Sequence, residues 1–111
     1  MASESPPPAL AAALDRLWTQ FLPQMQARVE LLEAVAKSCA AGTLSGEQHE
    51  AAKAAAHKLA GVLGTFGLTH GTVLARELET IYSQDNEPDP ALAEKLASSA
   101  VELRAIIASR V

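Results

Sequence analysis

The run Ala56-His57-Lys58-Leu59-Ala60-Gly61-Val62-Leu63-Gly64-Thr65-Phe66-Gly67 decides how this chain is read. At about 100° per residue, Ala55, Leu59, Val62 and Phe66 share a narrow arc, which predicts a helix that buries that face. His57 points the other way. Around it on the outer face stand Lys53, Ala60, Gly61 and Gly64, and the small side chains leave the imidazole open to a visitor. Two glycines inside a helix cost about 1 kcal/mol each relative to alanine, with no benefit to the fold unless something approaches the backbone there. The stretch therefore predicts a helix carrying a reactive, solvent-facing histidine.

The totals agree with a helical fold. A chain of 111 residues is long enough to bury one core, so residues 8–111 read as a single domain. Apolar residues make up 49 % of it but aromatics only 4 %, with alanine and leucine abundant, which suits tightly packed helices better than a sheet. Thirteen acids against nine bases give a net charge of −4 with no Lys/Arg cluster, which argues against a nucleic-acid partner. No apolar run approaches the roughly 18 residues that span a bilayer, so no membrane partner is expected. The single Cys39 cannot form an internal disulfide, and no secretory leader pattern precedes the folded part, which points to the cytoplasm.

Outward from the histidine helix, Met1 to Pro7 is polar and proline-rich and reads as a disordered tail. From Pro8 onward, Leu10, Leu14, Leu17, Trp18, Phe21, Met25, Val29, Leu32, Val35, Ala36 and Cys39 hold one helical phase up to the loop Gly42-Thr43-Leu44-Ser45-Gly46. Pro23 removes a backbone bond and clashes with the carbonyl four residues back, so this stretch must be kinked or broken there. The preserved phase favours two segments, 8–22 and 24–41, packing on one core. On that stripe Cys39 reads as a small core hydrophobe. Ser45 and Gln48 have the spacing of a capping box for a helix over 46–66. A short break at 67–71 leads to a helix over 72–84 with Leu74, Leu78, Ile81 and Tyr82 facing inward, which must run antiparallel to its predecessor. Asp89 and Pro90 can start a last helix whose Leu92, Leu96, Ala100, Leu103 and Ile107 share a side. The expected fold is all-α, an antiparallel four-helix bundle with an additional N-terminal helical segment.

His49 on a polar helical turn and His70 in a loop read as surface histidines without a direct role. The intervals between the three histidines do not suit a metal, and the lone cysteine lies on another face. If His57 is a nucleophile, one ring nitrogen must hold the proton while the other attacks, so an acceptor is needed to fix the tautomer. Counting the same distance on either side of a turn centred near 68 leads to Glu79. It could equally be a solvated glutamate, or an i,i+3 partner of Arg76.

The run from Ala56 to Gly61, followed by Gly64-Thr65-Phe66-Gly67-Leu68 and Leu74-Ala75-Arg76-Glu77-Leu78-Glu79, resembles the histidine-containing phosphotransfer (HPt) domains of two-component signalling. The resemblance is specific over about residues 53–82. It implies a helical bundle in which His57 is phosphorylated and exchanges its phosphoryl group with an aspartate in the receiver domain of a response regulator or hybrid histidine kinase. Gly61 matches the glycine four residues on that keeps space beside the histidine. Glu79 matches the Gln or Glu that contacts the imidazole from the following helix. There is one departure: many members have a lysine three residues after the histidine, where this chain has Ala60. Lys53, one turn before His57, Lys58 beside it and Arg76 on the next helix are the substitutes on offer.

The implied exchange is mostly positioning and charge neutralisation, and it can borrow the Mg²⁺ and lysine of the receiver. No cofactor of this chain's own is expected, and without a nucleotide motif it does not read as an autonomous kinase. The alternative reading is a helical adaptor, a docking domain of a larger signalling regulator with His57 unphosphorylated.

Overall fold

The computed structural model describes residues 7–110 as four α-helices and one short 3₁₀ turn. Helix α1 spans Pro8–Ala41, α2 Gly46–Thr65, α3 Thr69–Tyr82 and α4 Ala93–Ser109, with the 3₁₀ turn at Pro90–Leu92 leading into α4. The proline-rich tail expected over residues 1–7 lies, but for Pro7, outside the described residues. Helix α2 packs against α3 and α1, and α4 packs against α1 and α3, so the bundle closes around one core.

Of the two alternatives for Pro23, a kink or a break, there is no break: α1 is one helix of 34 residues. At about 1.5 Å per residue it is roughly 50 Å long, the full 50 Å extent of the molecule. A proline leaves one carbonyl four residues back, that of Thr19, without its helical donor. Both Pro23 and Thr19 are exposed, so water can reach that carbonyl and the helix need not end. The additional N-terminal segment is thus the continuous outer part of α1. Because it reaches past the shorter helices, Leu10 and Leu17 at its far end remain 49 % and 39 % exposed, whereas Trp18, Met25, Val29, Leu32, Val35 and Cys39 are buried.

The breaks follow from local chemistry. Gly42 closes α1 at φ 72°, a left-handed conformation that favours glycine. Ser45 Oγ accepts from the Gln48 N–H at 3.1 Å while Gln48 Oε1 accepts from the Ser45 N–H at 3.0 Å, the expected capping box. Gly67, also at φ 72°, turns the chain between α2 and α3, and α3 begins at Thr69, so His70 lies in its first turn and not in a loop. The Asp89 side chain accepts from the Ala91 N–H at 2.9 Å and starts the 3₁₀ turn that precedes α4. Leu92, expected on the buried side, falls in that turn and is 37 % exposed.

Helix α2 buries a different arc from the one its sequence suggests. Ala52, Ala55, Ala56, Leu59, Ala60 and Leu63 are buried, while Val62 and Phe66 are only partly so. Two neighbours flank this helix, so its buried sector is wide. Ala56, Ala60 and Gly64 form an i, i+4, i+8 row, and Gly64 stands against the Thr72 side chain of α3. Small residues along this row let α3 lie close. His49 falls on the same side two turns earlier; it is 8 % exposed and packs edge-to-face on Tyr82 at 6.1 Å between ring centroids.

Candidate functional site

His57 stands on the outer face of α2, and Glu79 reaches it from α3. The Nδ1–H donates to Glu79 Oε2 at 2.7 Å, with the His57 side chain 72 % exposed and that of Glu79 27 %. A carboxylate oxygen can only accept, so the proton of this contact belongs to Nδ1, and in the neutral ring the lone pair belongs to Nε2. The imidazole thus has one nitrogen tied to α3 and the other turned away from it. The equal-distance count across the turn leads to the residue that contacts His57, because antiparallel helices joined by a short turn keep a nearly common rise per residue. Glu79 pairs with His57, and among the described residues it makes no ion pair with Arg76.

His57 forms a ridge between two grooves. One lies between α1 and α2 and is lined by Phe21, Gln24, Arg28, His57, Lys58, Gly61, Val62, Thr65 and Phe66. The other lies towards α3 and is lined by Glu50, Lys53, Ala54, His57, Lys58 and Glu79. The first groove is largely apolar, with a floor fixed by an aromatic cluster: Phe66 meets Trp18 edge-on at 5.1 Å and Phe21 at 6.5 Å. Arg110 covers Trp18 and Phe66 at 4.8 and 5.1 Å and reaches Asp15 at 3.4 Å, tying the end of α4 to the outer part of α1.

The sequence-derived site is brought together in part. Gly61 and Lys58 line the first groove, Lys53 the second, and Glu79 touches the imidazole. Ala60 does not stand on the outer face beside His57: at 3 % exposure it belongs to the row packed toward α3. Gly64 is exposed but lines neither groove, and its neighbour is Thr72. Arg76 also lines neither groove. His49 is buried and not on the surface. His70 pairs with Glu102 of α4 at 2.5 Å, away from His57.

Sequence reasoning missed Gln24, Arg28 and Glu50. Phe21, Gln24 and Arg28 fall at i, i+3 and i+7 on α1, so their common face was legible. Which element that face would meet was not. Gln24 and Glu50 are exposed, and Arg28 is half-buried.

The unused titratable groups sit elsewhere. Burial pushes the Cys39 thiol above its ordinary range, aided by Asp89 and Glu87, as suits an inert core residue. Burial likewise pushes Tyr82 up to about 12. Among the described residues no group of three or more His, Cys, Asp or Glu side chains is placed to hold a metal ion, and no helix is long and apolar enough to cross a membrane.

The family model for the Hpt domain matches residues 16–109. Protein RcaC of Microchaete diplosiphon is 38 % identical over 68 residues, covering 61 % of this chain and 10 % of that protein. The chain thus spans about a tenth of the length of this curated relative. No solved structure matches it.

Proposed function

The chain belongs to the Hpt domain family, the histidine carriers of phosphorelays, and from that premise we propose that His57 is its phosphoacceptor and Glu79 the residue that orients the imidazole. The partner in exchange is an aspartate in the receiver domain of a response regulator or hybrid histidine kinase, in the cytoplasm. The observation that carries the reading is the 2.7 Å contact from Nδ1 of an exposed His57 to Glu79, which leaves Nε2 as the nucleophile.

In the forward direction Nε2 attacks the phosphorus of the receiver's aspartyl phosphate. An N–P bond forms as the acyl O–P bond breaks, and the aspartate leaves as a carboxylate. The proton on Nδ1 stays in place, so the ring becomes cationic and Glu79 stabilises that charge. The reverse step runs through the same atoms. Gly61 permits close approach, and the apolar wall of Phe21, Val62 and Phe66 offers contact area beside the reacting atom. The Mg²⁺ and lysine that neutralise charge on the receiver side belong to the partner.

The test is labelling by phosphoramidate and by a phosphorylated receiver domain. An acid-labile, alkali-stable label is expected on the parent and none on His57→Gln. A label of equal strength on His57→Gln, or no label on the parent, sinks the assignment, and the latter leaves a docking module as the reading.

A further inference from the structure

We propose that Arg28 of α1 is the cation that holds the phosphoryl group on His57. The proposal rests on His57 being the phosphoacceptor. Its starting point is the asymmetry of charge on the two sides of the histidine. The groove toward α3 contains Glu50 and Glu79, which offset Lys53 and Lys58, so a phosphoryl group with about two negative charges would meet no net positive charge there. The groove toward α1 has Arg28 and Lys58 on its walls and no carboxylate.

Ring geometry points the same way. The two nitrogens lie on different edges of the imidazole, and Nδ1 is engaged with α3. Nε2, and any phosphorus bonded to it, is therefore turned from Glu79, and His57 itself lines the groove on the α1 side. Gly61 lines that side, and a Cβ built on it meets nothing within 4 Å, so three phosphoryl oxygens have room.

Arg28 is suited to the task and available for it. Among the described residues it makes no ion pair, whereas Arg104 and Arg110 are engaged by Glu33 and Asp15. The residue is half-buried on α1, which limits how far the guanidinium can stray. The planar fork can donate two parallel hydrogen bonds to non-bridging oxygens, which an ammonium cannot. Lys53 shares its groove with both carboxylates, and Lys58 is exposed and borders both grooves. During transfer Arg28 keeps all its protons. It neutralises charge on oxygens while the N–P bond forms and the acyl O–P bond breaks.

The test uses Arg28→Gln, Arg28→Lys, Lys53→Gln and, as a charge control on α4 that lines neither groove, Lys95→Gln. The rate of phosphoryl uptake from a phosphorylated receiver is measured, together with the ³¹P titration of the phosphohistidine against pH. Loss of a charge-assisted bond predicts that Arg28→Gln takes up phosphoryl about tenfold more slowly. Its phosphoryl group should also keep its last proton to higher pH than in the parent. Arg28→Lys should recover part of both effects, and Lys95→Gln neither. A purely structural Arg28 would not move the ³¹P titration. Parent-like rate and titration in Arg28→Gln, or both effects in Lys53→Gln instead, overturn the proposal while leaving His57 as acceptor. Absence of label on the parent would instead remove the phosphoacceptor reading beneath it.

Discussion

His57 and Glu79 are 22 positions apart in the chain and 2.7 Å apart in space. Such an exposed pair adds little to stability, because solvent screens it and both side chains lose freedom in forming it. Its value lies in fixing the tautomer. Glu79→Ala should therefore fold normally but exchange phosphoryl about tenfold more slowly, the expected loss of one charge-assisted bond. Glu79→Gln should retain much of the rate, since its amide oxygen still accepts from Nδ1–H. A quenched-flow transfer assay beside a thermal melt separates the two effects, and an unchanged rate in the alanine variant would remove Glu79 from the site. The residue was legible beforehand because its position depends only on a turn length and a helical rise. Arg28 was not, because nothing local links α1 to the histidine.

At the scale of the element, α2 forgoes helical stability beside its histidine. A Cβ on Gly61 would meet nothing within 4 Å, so the fold does not require glycine there. Gly61→Ala should stabilise the protein by about 1 kcal/mol, the ordinary difference in helix propensity. For a domain of this size that raises the melting temperature by about 4–8 °C. The same methyl group would stand in the groove beside Nε2, so exchange with a receiver should slow. A variant that is both more stable and as fast as the parent would exclude close approach at Gly61. Helix α1 teaches the complementary lesson. Its apolar phase was legible across Pro23, but whether the helix broke depended on where the unpaired Thr19 carbonyl pointed. Thr19 is exposed, so water can reach that carbonyl and the helix continues through the proline.

At the scale of the whole molecule, the ends of the bundle are held by pairs that join distant helices. Arg104 of α4 donates to Glu33 of α1 through two nitrogens, at 3.0 and 2.5 Å. That hydrogen bond, with the attraction of the same guanidinium and of Lys37, holds the Glu33 carboxyl below its ordinary value of 4.5 against the opposing effect of burial. A carboxylate with a lowered folded-state pKa stabilises the fold above its unfolded-state value, and the benefit disappears as pH falls through the folded-state value. The urea midpoint of the parent should thus drop more steeply between about pH 5 and pH 3 than that of Glu33→Gln. Parallel acid limbs for the two proteins would show that the pair does not couple folding to protons.

The sequence alone determined the all-helical class, the capping box at Ser45 and Gln48, the turn at Gly67, the outward His57 and its level with Glu79, but not the continuity of α1 through Pro23. Each depends on periodicity, on a local hydrogen bond or on the length of a turn, all of which act within a few residues or along one helix axis. Tertiary structure decided that Ala60 and His49 are buried, that Arg76 stands apart and that Arg28 joins the groove. A helix's own periodicity defines its faces, but which face meets which neighbour depends on how ridges and grooves of several helices pack together. That choice is made by the bundle as a whole, and it is what surrounds the histidine with its charges.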